Sequence, residues 1–277
     1  MRIAISNIAW DVSEDDDVAA LLARFGVDAI DVAPTKYFPD PFVATRSEIA
    51  EVRDAWARRG VEITGMQSLL FGAAHLNIFG AAEICVATRR RLEAVIRIGE
   101  GLSATRLVFG SFKNRDRSRL SDEAALQSAA SFFRSVGDVA RDHGVVICLE
   151  PVPAEYGANF MTTTAEAAHV VAVTDHPAIR LHLDTGTMAV NGENPRDVIR
   201  KHAHLVGHVH ASEPNLAPVG DDGADHRAVA RALAQFLPDQ VVSIEMLAPT
   251  QESRFASIER ALARAVHDYR DCGWAAA

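Results

Sequence analysis

The sequence contains few cysteines, and their number and spacing argue against a disulfide framework. Cys85, Cys148 and Cys272 lie far apart in a chain of 277 residues. An odd number of widely separated cysteines is not the pattern of a small disulfide-bonded secreted domain. The N-terminal segment MRIAISNIAW is typical of a first strand and has no small-residue cleavage site. These features predict a protein of the reducing cytoplasm.

Long hydrophobic runs and basic stripes are also missing. No apolar run reaches the roughly 18–20 residues that cross a bilayer, so no membrane partner is expected. The formal net charge is −9, and the densest basic run, at 89–91, has Glu83 and Glu93 close by. This arrangement is typical of a solvated helix face. Because neutralised phosphates supply most of the affinity for nucleic acids, we expect no nucleic-acid partner.

Short β-rich segments alternate with longer segments of helical periodicity along the whole chain. The predicted strands are 2–6, 28–32, 62–66, 106–109, 145–150, 179–184, 205–210 and 240–245. The predicted helices are 15–25, 46–59, 82–100, 122–142, 164–173, 195–201, 226–236 and 251–272. Eight such units without a linker predict an α/β protein, a single (β/α)8 TIM barrel over residues 1–277. A doubly wound open sheet is the alternative, but no G-x-G-x-x-G motif follows the first strand.

Glycines stand where several predicted helices end and the next strand begins. They are Gly26, Gly60, Gly101 and Gly144. Glycine is the usual residue just past a helix end because it adopts the left-handed conformation without a steric penalty. The sequence therefore predicts a helix C-terminus at each of the four.

The last four predicted strands end in residues that bind metals. Strand five ends in CLEP with Glu150, strand six in HLDTG with Asp184, strand seven in HVHASE with His210 and strand eight in SIEM with Glu245. Neighbouring strands lie about 4.8 Å apart, and sites of this fold form at the strands' C-terminal ends. Three converging carboxylates would repel one another unless a cation held them. The sequence predicts one divalent metal ion, Mn²⁺, Mg²⁺ or Co²⁺ by the oxygen-rich ligand set, with Zn²⁺ also compatible.

Side-chain alternation distinguishes the two histidines of strand seven. Residues i and i+2 share one face of a strand, so His208 and His210 both point into the barrel. The upper residue, His210, is assigned as the ligand. His208 and, below Asp184, His182 are predicted to pack the barrel floor with hydrogen-bonded imidazoles; a role on the substrate is the alternative.

These motifs resemble the xylose isomerase-like TIM barrel superfamily, the group of sugar phosphate isomerases and epimerases. The resemblance covers nearly the whole chain and is most specific in the ordered set Glu150-Pro151, Leu183-Asp184-Thr185, His208-Val209-His210 and Ile244-Glu245. It implies that Glu150 and Glu245 bind the metal and also move protons on opposite faces of a keto-sugar. Asp184 and His210 would act as ligands only. The metal in such enzymes stabilises an enediolate, as expected of a cation beside a developing oxyanion.

Two positions depart from the ketose 3-epimerases of that superfamily. Those enzymes carry a histidine three residues after the aspartate ligand and an arginine six residues after the histidine ligand. Here these positions are Thr187 and Leu216. Both family residues help to hold the sugar near the metal. The resemblance therefore implies the metal site but not the free-ketose substrate.

Polar residues at other predicted strand ends are candidates for substrate binding. They are Asn7, Lys36, Gln67, Lys113, Arg115 and Tyr156, with Asn114 and Asn159 beside them and His208 below. Lys36 follows strand two, and the KNR segment at 113–115 follows strand four. Cations there indicate an anionic group on the substrate, a phosphate or a carboxylate. Ordinary surface charge is the alternative.

The predicted function is a metal-dependent isomerase or epimerase of a sugar or sugar derivative. Its partner is a small carbohydrate, and the long final helix offers a surface for a homodimer. The same site would also support a dehydratase or an aldolase acting on a polyol or keto-sugar. A phosphodiesterase like endonuclease IV needs further ligands, and strands two to four end in Ala33, Gln67 and Gly110, which do not provide them. A non-catalytic binding protein is compatible with the fold alone.

Overall fold

Eight parallel strands close into a barrel in the computed structural model, which describes residues 1–272 of the chain. The strands are β1 (Arg2–Ser6), β2 (Ala29–Val32), β3 (Glu62–Met66), β4 (Arg106–Phe109), β5 (Val146–Leu149), β6 (Ile179–Asp184), β7 (Val206–Ser212) and β8 (Val241–Glu245). Each strand pairs with its neighbours in sequence, and β8 pairs with β1. The predicted (β/α)8 barrel is confirmed. The last five residues of the predicted domain, 273–277, lie outside the described residues.

Helices follow the strands and form the outer layer. They are α1 (Asp15–Arg24), α2 (Arg46–Arg58), α3 (Ala82–Leu102), α4 (Asp122–Asp142), α5 (Thr164–Thr174), α6 (Thr185–Val190), α7 (Pro195–His202), α8 (His226–Phe236) and α9 (Arg254–Ala265). The sequence analysis missed α6, because six residues are too few to show a helical period. The predicted helix 251–272 begins three residues later than expected, as α9, and continues from α9 into a π-helical turn over Val266–Asp271.

The core has an apolar outer layer and a polar centre. Helix residues such as Leu22, Leu92 and Phe133 are fully buried between the helices and the barrel. Inside the barrel, four polar side chains are at most 1% exposed: Asp31, His182, His208 and His210. Buried polar groups of this kind need partners or a ligand. The polar centre therefore marks the part of the barrel where function is expected.

Three of the four predicted helix ends are confirmed by the backbone. Gly26, Gly60 and Gly144 have positive φ angles of 60°, 76° and 68°. The prediction at Gly101 is wrong, because α3 continues through it and ends at Ser103, which has φ 62°. A Cβ on residue 101 would lie 2.6 Å from Cγ2 of Ile49. That glycine is required by the close packing of α3 on α2.

Within residues 1–272, no helix combines the length and the apolar character needed to cross a bilayer.

Candidate metal centre

The register of β5 to β8 brings the four predicted ligands to one end of the barrel but not to one height. β6 and β7 pair Asp184 with His210. β5 pairs residue 149 with residue 181, so Glu150 comes level with His182. On β8, Glu245 pairs with a residue two positions beyond His210. This stagger is a consequence of closing a tilted sheet into a barrel.

The donor atoms nevertheless converge on one small volume. One atom each from Glu150, His182, Asp184 and His210 lie within 4.8 Å of one another. Nε2 of His182 is 3.7 Å from Oε1 of Glu150, so the stagger puts this imidazole beside the ligands. Glu245 lies next to this group, with Oε2 3.3 Å from Nδ1 of His210. His182 is therefore an additional candidate donor that the sequence analysis assigned to the floor.

Asp184 is held rigidly at the start of α6. Its Oδ1 accepts a hydrogen bond from the backbone N–H of Thr187 at 2.6 Å and caps the helix. Its Oδ2 accepts from the hydroxyl of Ser212 at 2.5 Å. Fixing both oxygens orients the carboxylate, as supporting hydrogen bonds commonly do for metal ligands.

Glu150 and Glu245 are each positioned by one neighbour. The side-chain amide of Gln67 donates to Oε1 of Glu245 at 2.5 Å, which leaves Oε2 facing His210. Gln67, a predicted substrate contact, thus supports a ligand. Glu150 packs over Gly110, where an added Cβ would lie 1.6 Å from Oε2 of Glu150. Only glycine at position 110 leaves room for this carboxylate.

The charged groups of the cluster perturb one another because they are buried together. Burial, and then the charges of Glu245 and Asp184, raise the pKa of Glu150 well above its usual range. Burial and the Glu245 charge also raise the pKa of Asp184. Burial opposes protonation of His210, but the neighbouring carboxylates, Glu245 first, hold its pKa well above the usual range. Burial and the nearby imidazoles lower the pKa of His182 well below its range. Such mutual perturbation is typical of functional sites.

A divalent cation fits this donor set. Both ring nitrogens of His182 and both of His210 are buried and have no hydrogen-bond partner within residues 1–272. A buried polar atom left unpaired costs about 1–3 kcal/mol. The clustered carboxylates add mutual repulsion. A cation that accepts lone pairs from these groups removes both penalties, and their nitrogen and oxygen donors suit a first-row divalent ion or Mg²⁺.

Below the ligands lies a buried carboxylate that the sequence analysis missed. Asp31 on β2 is 0% exposed, and Nε2 of His208 donates to its Oδ2 at 2.6 Å. Its Oδ1 accepts from the hydroxyl of Thr64 at 3.1 Å. His208 therefore lies in the barrel floor with a hydrogen-bonded imidazole, as expected. The available signal for Asp31 was an acid in the middle of the apolar strand AIDV.

A cavity of about 200 Å³ opens over the ligands at the C-terminal mouth of the barrel. Its lining includes Glu150, Asp184 and Glu245, together with Tyr156 and Thr187. The Tyr156 hydroxyl accepts a hydrogen bond from a backbone N–H of the loop after β7 at 3.0 Å. The volume is below the roughly 300–1,000 Å³ of sites for drug-sized ligands. The cavity therefore suits a small molecule.

The sequence profile of the xylose isomerase-like TIM barrel family matches residues 19–266. The chain belongs to this family. Known proteins agree in fold: D-psicose 3-epimerase from Clostridium cellulolyticum H10 aligns over 97% of this chain and 99% of its own, with a TM-score of 0.82 and 18% identity. The IolI protein with a bound zinc atom aligns over 98% of this chain and 99% of its own, with a TM-score of 0.77 and 14% identity. At these identities the likeness shows the fold alone.

A sequence relative matches over a shorter stretch. An inosose dehydratase from Clostridium botulinum (strain Alaska E43 / Type E3) is 31% identical over 84 residues. The match spans 30% of this chain and 27% of that protein, well under two thirds of its length.

In this member of the xylose isomerase-like family, Lys36 and Lys113, the two lysines predicted to contact the substrate, do not line the cavity. The ammonium of Lys36 donates to the backbone carbonyl of Asn7 at 2.7 Å and to that of Trp10. Lys113 is exposed, and its Nζ lies 6.0 Å from the centroid of the Phe112 ring. Lys36 therefore ties backbone together, and Lys113 lies at the surface.

Asn7 and Arg115 are both buried and incompletely paired. Oδ1 of Asn7 accepts from the backbone N–H of Ala33 at 2.7 Å, while its Nδ2 has no partner within residues 1–272. Arg115 is 0% exposed, and its Nε and Nη2 have no partner among the same residues. Burial lowers the pKa of Arg115 to about 10, against the opposing charge of Glu150. Of the three cations predicted to contact the substrate, Arg115 is thus the one whose charge acts on a predicted metal ligand, Glu150.

The two positions that depart from the ketose 3-epimerases both line the cavity. Thr187 lies above Asp184, and its hydroxyl donates to the carbonyl of Pro151 at 3.1 Å. Leu216 lines the cavity in a left-handed conformation with φ 56°. A hydroxyl and an alkyl group therefore line the cavity at the two positions where the sequence departs from the ketose 3-epimerases.

Proposed function

We propose that this protein is a divalent-metal-dependent isomerase or epimerase that acts on a sugar or sugar derivative by proton transfer. The observation that carries the proposal is the placement of two glutamates about one histidine. Oε1 of Glu150 and Oε2 of Glu245 lie 3.9 Å and 3.3 Å from Nδ1 of His210, at the base of the cavity. The end of β8 and the residue after β5 thus supply one carboxylate each to the site.

Relatives support the sugar class of substrate. The aligned structures include D-psicose 3-epimerase and L-ribulose 3-epimerase, and the sequence match is to an inosose dehydratase. All three names are those of enzymes that act on a sugar or a related polyhydroxy compound. The proposed substrate is a small carbohydrate of the same kind.

Glu150, Asp184, His210 and Glu245 are the proposed metal ligands, and His182 is close enough to join them. A bound divalent ion would supply electrostatic stabilisation of the oxyanion that forms when a proton leaves carbon beside a carbonyl. We propose Mn²⁺ as the native ion, with Mg²⁺, Co²⁺ or Zn²⁺ as alternatives. The zinc in the aligned IolI structure supports a divalent ion of this size class.

The two glutamates are the proposed proton carriers. One takes a proton from the substrate carbon on one face, and the other returns a proton on the opposite face, which inverts that carbon. Oε2 is the oxygen of Glu245 that would act, since Gln67 occupies Oε1. Glu150 is held over Gly110, so its carboxylate stays at the base of the cavity. Positioned bases of this kind contribute about 10²–10⁴-fold to a rate.

Substrate binding is assigned to polar groups around the cavity. Tyr156 and Thr187 line it directly, Gln67 donates to Glu245, and the charge of Arg115 acts on Glu150. The unpaired guanidinium nitrogens of Arg115 support an anionic substituent on the substrate. A homodimer and a cytoplasmic location remain predictions from the sequence.

A dehydratase is the second candidate function. The match to inosose dehydratase favours it, and so do Thr187 and Leu216 in place of the sugar-holding residues of the ketose epimerases. In that reaction one glutamate removes the proton beside the carbonyl. The hydroxyl on the next carbon then leaves as water, with a proton from the other glutamate. The same residues would serve both reactions, so product analysis has to separate them.

The test uses Glu150→Gln and Glu245→Gln with a panel of keto- and aldo-sugars and polyols, with and without phosphate. Glutamine keeps an oxygen that can coordinate a metal but lacks the basicity of a carboxylate. We expect both variants to retain metal, while deuterium uptake from solvent into the substrate, followed by NMR, falls by about 10²–10⁴-fold. Deuterium uptake without loss of water indicates the isomerase or epimerase. An unsaturated or dehydrated product indicates the dehydratase.

Asp184→Ala is the matched control, because Asp184 is proposed as a ligand without a proton role. We expect this variant to lose the metal as measured by elemental analysis of the same samples. Normal deuterium uptake in metal-loaded Glu150→Gln and Glu245→Gln would exclude both as proton carriers. Unchanged metal content in Asp184→Ala would exclude the ligand assignment.

A further inference from the structure

We propose that Asp31 is a positioning residue for the metal centre: its buried carboxylate, fixed by His208, faces Nε2 of His210 and leaves Nδ1 of His210 for the metal. The inference rests on the proposed metal-dependent function and adds to it a residue outside the ligand set. In this proposal, His208 holds the carboxylate of Asp31 in place through its hydrogen bond.

The two ring nitrogens of His210 face different surroundings. Nδ1 faces the cavity side, 3.3 Å from Oε2 of Glu245 and 3.9 Å from Oε1 of Glu150. Nε2 faces the floor, 3.6 Å from Oδ2 of Asp31. A neutral imidazole has a proton on one nitrogen and a lone pair on the other. A cation bound where the glutamates meet would take the lone pair of Nδ1, and the anionic oxygen facing Nε2 would then hold the proton on that nitrogen.

The carboxylate of Asp31 has a fixed orientation. Because an ionised carboxylate only accepts, Nε2 of His208 is the donor in their 2.6 Å bond. The Thr64 hydroxyl occupies the other oxygen at 3.1 Å. With both oxygens engaged, the carboxylate cannot rotate away from His210.

The barrel interior leaves space for this carboxylate at Gly65. A Cβ on residue 65 would lie 2.5 Å from Oδ1 and 2.9 Å from Cγ of Asp31. Backbone of β4 lies on the other side, with the carbonyl of Arg106 3.0 Å from the same Cβ. Gly65→Ala would therefore push the carboxylate out of place while its charge remains. This substitution therefore tests the position of the Asp31 carboxylate without removing it.

A purely structural floor predicts a different result from a positioning role. If Asp31 and His208 only filled the barrel, removing the carboxylate would lower stability and leave metal affinity unchanged. Carboxylates that face a ligating histidine fix its tautomer and orientation. Their loss typically weakens metal binding by about 10–100-fold. Metal affinity therefore distinguishes the two roles without any measurement of activity.

The experiment measures Co²⁺ binding to metal-free protein, because the visible absorption of Co²⁺ reports its coordination and chelator competition gives its affinity. We expect the wild type to bind one Co²⁺ per chain. Asp31→Asn and Gly65→Ala should each weaken binding by about 10–100-fold and change the absorption spectrum. Asp15→Asn is the matched control, since Asp15 is another buried carboxylate, which accepts hydrogen bonds from Nε1 of Trp10 and the hydroxyl of Tyr37. It should lower Tm and leave the Co²⁺ affinity unchanged.

The outcomes separate this inference from the proposed function. A wild type that binds no Co²⁺ contradicts the metal centre, and the role of Asp31 with it. A wild type that binds, together with an Asp31→Asn variant of equal affinity and identical spectrum, overturns the positioning role and leaves the metal centre intact. If Asp31→Asn does not fold, the Co²⁺ affinity of Gly65→Ala provides the test. An affinity in Gly65→Ala equal to that of the wild type overturns the proposal.

Discussion

Single side chains fix the backbone around the mouth of the barrel, and Lys36 is the clearest case. Its half-buried ammonium donates to the carbonyls of Asn7 and Trp10, both in the segment that follows β1. Burial lowers the pKa of Lys36 from its usual value. Lys113, predicted with it as a substrate contact, is exposed and lies over the Phe112 ring. The two lysines therefore differ in what they contribute to the fold.

Lys36→Met should destabilise the protein, because it leaves two backbone carbonyls without a charged donor. Hydrogen bonds to charged groups contribute about 1.5–3 kcal/mol, so we expect the free energy of unfolding to fall by that order. Urea unfolding followed by circular dichroism measures the change.

Lys113→Met is the control and should change stability by no more than about 0.5 kcal/mol. Equal effects of the two substitutions would show that the contacts of Lys36 do not stabilise the fold. The sequence shows a lysine after strand two, but its acceptors lie 26 and 29 residues earlier. Only the closed barrel brings them together.

At the scale of elements, the turn after β4 is pinned to the loop after β3. The side-chain amide of Asn114 donates to the carbonyls of Ala73 and Leu76 at 2.9 and 2.7 Å, and its backbone carbonyl accepts from Ile78. Asn114 is 1% exposed. The next residue, Arg115, is fully buried, and its charge acts on Glu150.

Asn114→Ala should therefore loosen the two loops together. It leaves two buried carbonyls unpaired, and we expect a loss of stability of about 1–3 kcal/mol or more. Hydrogen exchange measured by mass spectrometry should show faster exchange in both loops.

Asn159→Ala is the matched control, since Asn159 bonds to Asp116 and Ser118 at a partly exposed site where water can replace it. A uniform change across the whole barrel, with no excess in the two loops, would contradict the anchoring role. Sequence reasoning placed both asparagines near the rim as substrate candidates. The burial of Asn114 between two loops could not be predicted, because the loop after β3 that contacts it has no periodic pattern.

At the scale of the whole molecule, a buried network joins the end of β7 to the outer helices. Glu213 accepts hydrogen bonds from the backbone N–H groups of Gly220 and Ala224 and pairs with Nε2 of His226 at 3.0 Å. Nδ1 of His226 lies 2.7 Å from the hydroxyl of Tyr269 in the C-terminal turn. Glu213, three residues after His210 in the sequence, therefore connects the loop after β7 to the outer helices.

The stability of the fold should depend on pH through Glu213. Burial raises the pKa of this carboxyl, but the hydrogen bonds of His226 and the two backbone N–H groups lower it by more. The net effect is a pKa below the ordinary value of 4.5. A carboxylate whose pKa is lower in the folded state stabilises the fold above its unfolded pKa, and this contribution disappears as the pH falls through the folded value. Glu213→Gln should therefore have a lower Tm than the wild type at pH 7, and the difference should shrink below about pH 4.5.

Thermal unfolding of metal-free protein between pH 7 and pH 3 measures this difference. Asp222→Asn removes an exposed carboxylate from the same loop and should follow the wild-type curve. A Tm difference that stays constant over the whole pH range would show that the ionised form of Glu213 is not what stabilises the network.

The sequence by itself determined the barrel, the order of its elements and the ligand-type residues at the ends of β5 to β8. These features are local: a strand or a helix shows its period within a few residues, and a ligand shows its chemistry in its own side chain. The tertiary structure decided the rest. Closing the sheet staggers the strands, so Glu150 comes level with His182 rather than Asp184. The same closure pairs Asp31 with His208 across 177 residues, a contact that no local pattern encodes.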